Sequence, residues 1–209
     1  MACGYAAPVC GKALSFRASL FLSLRRGCAS PGGQDARAPI MNRRIVIVGF
    51  MGCGKTTVAE ALAHQLGCNA IDLDSFITER EGRSPAEIIV EDGESSFRSI
   101  ETRALDDVLE NSKARVIALG GGTWTIEANR ALVTEHDCLS VWLDAPFERC
   151  WERIMASGTV RPLAPDRTTA KELYEERRAR YSLAKLRFAA EPNTSAPEIA
   201  IEIQLASDR

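Results

Sequence analysis

No stretch of this 209-residue chain stays apolar for the roughly 18 to 20 residues that a bilayer-crossing helix needs. Positive charge is not in surplus either. The 26 Lys and Arg stand against 28 Asp and Glu, a net charge of -2, so a nonspecific nucleic-acid binder is excluded and any phosphate must be held locally. The seven cysteines (residues 3, 10, 28, 53, 68, 138 and 150) contain no C-x-x-C pair, and an odd number makes a poor disulfide framework. They read as reduced thiols in a reducing compartment, with Cys68, Cys138 and Cys150 as small core residues in apolar surroundings. No internal repeat is visible. What is present, 45% apolar and 26% charged residues, excludes global disorder and suits one compact soluble domain.

Residues 1–40 differ in composition, with Lys12, Arg17, Arg25, Arg26 and Arg37 against the single acid Asp35, and many Ala, Ser and Gly. Without them the chain carries 21 basic and 27 acidic residues, a net charge of -6. An Arg- and Ser-rich, acid-poor segment resembles an organelle transit peptide. Met41, directly before the first apolar run, offers the other reading, the start of a shorter bacterial product, and the lack of a persistent amphipathic period in residues 1–40 favours this second reading. The expectation is a leader or upstream segment over 1–40, a catalytic domain over 41–209 and a cytoplasmic protein, with a plastid as the alternative.

From Arg44 onward apolar runs alternate with amphipathic segments, the pattern of a parallel sheet covered on both faces in an α/β fold. IVIVG at 45–49 reads as a central buried strand, and 70–74, 116–119 and 138–143 read as further strands. Ser84, Pro85 and Glu87 form a helix-starting capping box, and Thr169 with Glu172 a second. The tail alternates Ile199, Ile201, Ile203 and Leu205 like a strand, but Pro197-Glu198 opens a helix, which is the expected state.

The strongest local signal is GFMGCGKT at 49–56, which fits G-x-x-x-x-G-K-[ST] between a strand and a helix expected over 57–66. Glycines let backbone N–H groups turn inward around phosphate oxygens, the following helix directs its positive end at them, and Lys55 adds a full charge at the β and γ groups. Thr56 supplies a hydroxyl for Mg²⁺. Cys53 contributes its backbone N–H, although a thiol near a helix N-terminus could also be acidified.

Four further features concern what receives the phosphate. Asp72-Leu73-Asp74 closes the second strand, with both carboxylates on one face at the edge where α/β ligands gather. One could reach Mg²⁺ through water while the other orients an attacking hydroxyl. Arg98 and Glu101 sit three apart on a helix beginning near Glu94, so Glu101 can fix the guanidinium for a planar anion. Gly120-Gly121-Gly122 follows the third strand, a costly run unless a ligand or another segment approaches closely. Arg161-Pro162-Leu163 lies in a connection bounded by Ser157-Gly158 and Pro165-Asp166, suited to closing over ATP. Arg177, four before Tyr181, is a second guanidinium for the acceptor.

In this order, GFMGCGKTT, DLD, FRSIE, GGG and RPL resemble shikimate kinase over residues 44–206. The resemblance implies a three-layer fold around a five-stranded parallel sheet, a P-loop NTPase of the nucleoside-monophosphate-kinase type. It also implies a lid loop near 157–167 and an acceptor-binding region near 74–105. The implied reaction is ATP-dependent phosphorylation of the shikimate 3-hydroxyl in aromatic amino-acid biosynthesis, with one Mg²⁺ per subunit and ATP as co-substrate, in a monomer without nucleic-acid or membrane partners. Nucleotide contacts fall on Gly52, Cys53, Gly54, Lys55, Thr56 and Thr57. Thr56 and Asp72 match the Mg²⁺ site, and Asp74 the carboxylate on the acceptor hydroxyl. Arg98 and Arg177 match the two arginines on the acceptor carboxylate, Gly121 a backbone contact beside the ring, and Arg161 the lid arginine. Arg153 is the nearest counterpart of an adenine-stacking arginine, one residue out of register. The chain departs from the family at Ala164, where many relatives have a second leucine after RPL, and at Trp124, expected in the core or the pocket wall. Pro197 is a candidate for the loop over the base. Two alternatives remain: a same-fold kinase for another hydroxy acid such as gluconate, and a silent nucleotide-dependent binding protein.

Overall fold

The computed structural model describes residues 43–158, 161–191 and 193–207, so the leader reading of 1–40 and part of the 157–167 lid range lie outside the described residues. Strand β1 (Ile45–Val48) is buried along its whole length, as an apolar run must be when both faces are covered. It forms the centre of an all-parallel five-stranded sheet of order β2-β3-β1-β4-β5, in which β2 is Ala70–Asp72, β3 Val116–Ala118, β4 Leu139–Asp144 and β5 Leu186–Ala189. Ile47 is level with Ala118, and Ala118 with Asp72. The segments that follow β1, β2 and β3 therefore emerge side by side at one edge of the sheet, where open α/β folds place their ligands.

Helices α1 (Lys55–Gln65), α2 (Leu73–Glu81), α3 (Pro85–Asp92), α4 (Glu94–Asn111), α5 (Glu127–Glu135), α6 (Phe147–Ser157), α7 (Arg167–Tyr181) and α8 (Ala196–Ser207) connect and cover the strands. Their apolar faces close a core in which Val46, Leu62, Leu105, Ile117, Val141 and Ile203 are inaccessible to solvent. No helix among the described residues is long and apolar enough to cross a membrane. Cys138 and Cys150 are buried, Cys68 is half-buried against the core, and these three and Cys53 are free thiols.

Several boundaries differ from the sequence expectation for local physical reasons. β2 stops at Asp72 because that residue caps α2, its carboxylate accepting from Ser75 N–H at 3.1 Å. Asp74 is thus in the first turn of a helix and not on the strand, since an Asp at a helix start satisfies amides that an extended chain would leave unpaired. β4 is shifted one residue, to Leu139–Asp144, and α1 begins at Lys55, two residues early. The box at Ser84 and Glu87 forms as expected. The second box does not: Asp166 caps α7 through Thr169 N–H at 2.9 Å, three residues ahead of the expected cap. The tail is helical, started by Ser195 with Glu198, and Pro197 occupies its first turn and not a loop over a base. β5 has no strong sequence signal. As an edge strand it alternates half-buried and exposed residues, and Arg187 lies over Trp142 while pairing with Asp144.

Candidate active site

The loop between β1 and α1 is built by backbone conformation. Gly52 has φ +75°, and a Cβ there would stand 2.6 Å from the Cys150 carbonyl oxygen, so no other residue fits without displacement. Gly54, also left-handed, caps α1 with no side chain of its own. Lys55 folds back over this loop, its Nζ donating to the carbonyls of Gly49 and Phe50 at 3.0 and 2.9 Å. The ammonium is thereby pinned above the N-terminus of α1, where phosphate oxygens are favoured by both charge and amide dipoles.

A cleft of about 300 Å³ opens at this edge of the sheet. Gly52, Gly54, Lys55, Thr56, Thr57, Asp72, Asp74, Gly121, Arg153, Arg161 and Arg177 all line it, as do Glu101 and the α3 residues Pro85, Ala86 and Ile89. The sequence-selected residues thus converge from six different segments. Two do not face this volume. Cys53 lines a neighbouring hollow with Thr57, Arg149, Arg153, Thr194 and Ser195. Arg98 stands just behind the wall, its Nη1 donating to Glu101 at 2.8 Å and its Nη2 to Glu94 at 2.9 Å. A methyl group on Gly122 would overlap the Arg98 guanidinium, and one on Gly121 would stand 3.6 Å from Arg177 Nη1. Glycine at 122 is what allows the Arg98 guanidinium to approach the backbone, whereas Arg177 would make ordinary contact with a methyl on Gly121.

Thr56 Oγ1 donates to Asp72 Oδ2 at 2.5 Å, so the hydroxyl and carboxylate expected at a metal stand together beside Lys55. Both are hard oxygen donors, which fits Mg²⁺. Among the described residues there is no cluster of three or more His, Cys, Asp or Glu that could hold a metal.

Asp74 is pushed up to about 6, first by burial, then by the negative charges of Asp72 and Glu101, against the pull of Lys55 and Arg161. It therefore titrates near neutrality, where a general base works best. Cys53 goes the other way from the acidified thiol that a helix N-terminus suggests: burial outweighs the nearby Lys55 and Arg153 charges and raises it. Arg153 Nη1 donates to the carbonyls of Gly52 and Cys53, tying α6 to the phosphate loop. Arg161 Nε is buried and has no hydrogen-bond partner among the described residues, a donor left over in the wall of the cleft. Arg177 is only 6% exposed, and Arg98 is held above its ordinary range by Glu101 and Glu94 despite burial.

Thr123, fully buried and bonded to Glu101, was passed over by the sequence reading and carries no motif. The α3 wall falls within the acceptor-binding region expected near 74–105, although the sequence reading gave its lining residues no role in the site. Trp124 was expected in the core or pocket wall and is in the core, 3% exposed and absent from the lining.

Residues 51–206 match the family model described as shikimate kinase. The shikimate kinase of Ruegeria pomeroyi is 40% identical over 164 residues, covering 77% of this chain and 83% of that protein. That of Synechococcus elongatus is 39% identical over 162 residues, covering 76% and 82%. Among solved structures, the shikimate kinase from Acinetobacter baumannii in complex with shikimate superposes with a TM-score of 0.71 at 31% identity, covering 78% of this chain and 92% of that one. The Aquifex aeolicus shikimate kinase superposes at 0.67 with 33% identity, covering 78% and 95%. The phosphate loop from Met51 onward, the paired aspartates and the arginines around the glycine run fall within the matched span, and the chain belongs to the shikimate kinase family.

Proposed function

We propose that this chain transfers the γ-phosphoryl group of ATP to the 3-hydroxyl of shikimate, with the roles divided along the cleft. The observation that carries the reading is that Lys55, Asp74 and Arg177, from three distant segments, line one cavity, with Glu101 in its wall and Arg98 bonded to Glu101 directly behind it. The amides of residues 52–57 and the N-terminus of α1 hold the β- and γ-phosphates, and Lys55 leaves the Gly49 and Phe50 carbonyls to neutralise them. Arg153 stands where the phosphate loop meets the neighbouring hollow, placed to face the base.

At the acceptor end Arg98 and Arg177 pair with the carboxylate, and the Gly121 backbone lies beside the ring. This fixes the hydroxyl toward Asp74, which accepts its proton as the oxygen attacks phosphorus; a base titrating near 6 is ionised at neutral pH and still able to take a proton. Thr56 and Asp72 would hold Mg²⁺, which when bound offsets charge on the β- and γ-phosphates. Arg161, its Nε without a partner among the described residues, stabilises charge on the transferring group, and the 157–167 segment acts as the lid that excludes water. One Mg²⁺ per subunit, a monomeric state and a cytoplasmic location with reduced thiols complete the reading.

The test is ATP consumption in the presence of shikimate, of gluconate and of neither. Turnover is expected with shikimate alone, and Arg98→Ala should raise the shikimate KM at least tenfold while leaving the ATP KM nearly unchanged. Equal turnover with gluconate, or an unaffected Arg98→Ala enzyme, would remove the acceptor assignment.

A further inference from the structure

Two guanidiniums can grip one small carboxylate only if the distance between them is fixed, yet Arg98 and Arg177 sit on different helices, 79 positions apart in the chain. Between them lies a single 3₁₀ turn, Thr123–Thr125, directly after the glycine run and in contact with α4, α5 and α7. Its side chains make one directed bond to each arginine's support. Thr123 Oγ1 donates to Glu101 Oε1 at 2.5 Å, while the other oxygen of that carboxylate accepts from Arg98. Trp124 Nε1 donates at 3.1 Å to the carbonyl of Arg180, in the last turn of α7 and three residues beyond Arg177. Tyr181 adds a bond from its hydroxyl to the Gly121 carbonyl.

The turn itself is braced. Asn129 Nδ2 donates to the Thr123 carbonyl at 3.0 Å, and Arg130 Nη1 to the Trp124 and Thr125 carbonyls at 2.8 and 2.9 Å. Thr123, Asn129 and Glu101 are all inaccessible to solvent. A buried carboxylate with only one oxygen paired is costly and free to rotate, so the Thr123 hydroxyl both satisfies Glu101 and fixes the plane on which Arg98 rests.

We propose that Thr123 and Trp124 are positioning residues for acceptor binding: the turn they form is a strut that sets the spacing of the two arginines. The inference rests on the acceptor reading given above. Neither residue lines the cleft, so both act through another side chain or backbone group.

The experiment compares Thr123→Val, Thr123→Ser and Trp124→Phe with the parent and with Arg98→Ala. Shikimate affinity is measured by calorimetry without nucleotide, and KM and kcat are measured for both substrates. Thr123→Val keeps the shape and loses the donor. It should weaken shikimate binding by about 10- to 100-fold, the effect of losing one bond to a charged group, with the ATP KM changed less than twofold. Trp124→Phe should weaken shikimate about threefold with the same selectivity, and Thr123→Ser should restore near-parental affinity. If Thr123→Val fails to fold, Thr123→Ala takes its place with the same expected outcome. Parental shikimate affinity in the folded donor-less variants, or a matching loss for ATP, overturns the strut. If Arg98→Ala also binds shikimate like the parent, the fault lies in the acceptor reading instead.

Discussion

Replacing Asp74 by Asn should stabilise the ligand-free protein while destroying its turnover. In the folded state this carboxyl is displaced from its ordinary 3.8 to about 6 by burial and by its acidic neighbours Asp72 and Glu101. For an acid raised on folding, the protonated form is favoured by the native structure. The native state therefore holds its advantage at pH values below 3.8 and loses it as pH rises through about 6. Fully lost, that advantage is worth about 3 kcal/mol, the displacement multiplied by about 1.4 kcal/mol per pH unit. Solvent in the open cleft screens part of it, so a measured gain of about 2 kcal/mol at pH 8 is the expected result for the Asn variant, which never ionises. In a domain of this size that corresponds to a Tm increase of about 4 to 8 °C. At pH 4.5 most of the native Asp74 is protonated and the gain should shrink to about 1 kcal/mol or less. Urea unfolding in EDTA, without nucleotide, at both pH values measures the difference. Turnover with ATP and shikimate should fall by about 10² to 10⁴, as removal of a general base does. No gain at pH 8, or an equal gain at both pH values, would refute the account, because the stabilisation would then come from packing and not from ionisation.

Gly122→Ala should weaken shikimate binding at least tenfold and lower stability by about 1 to 3 kcal/mol, because the added methyl overlaps the end of the Arg98 side chain, forces the guanidinium aside and loosens its bond to the buried Glu101. Unchanged shikimate affinity, measured by calorimetry, would mean that Arg98 is not needed where it stands. Burial pushes Cys150 up to about 12, Cys138 to about 11, and Cys53 upward as well. Iodoacetamide at pH 8 should accordingly modify these three in the native protein at least about 100-fold more slowly than free cysteine, with fast modification returning in urea. Rapid native labelling of Cys53, followed by peptide mapping, would restore the acidified-thiol reading.

What the sequence disclosed and what it concealed divide along a physical line. The phosphate loop was legible because its chemistry is made by consecutive backbone groups. Glycine at 52 and 54 is demanded by left-handed φ, and Lys55 by charge, so composition and geometry coincide within eight residues. Arg98 and Glu101 were legible as a pair because three positions on a helix share a face, and the structure joins them at 2.8 Å. Helix starts were legible where the cap is unambiguous, as at Ser84. They were not where two candidates compete, as with Asp166 against Thr169, or where capping ends a strand early, as at Asp72. Least visible was the support between distant segments. Thr123 meets Glu101 across 22 positions, and Trp124 reaches Arg180 across 56. A threonine or tryptophan after a glycine run has no periodicity or spacing that announces such bonds, since the partner is chosen by the fold and not by the neighbouring sequence. The groups placed to touch ligand are fixed by short-range rules of conformation and charge and so can be read. The groups that hold them at a fixed distance are chosen by packing, and only the three-dimensional arrangement reveals that a buried threonine and a buried indole bridge the two arginine-bearing helices.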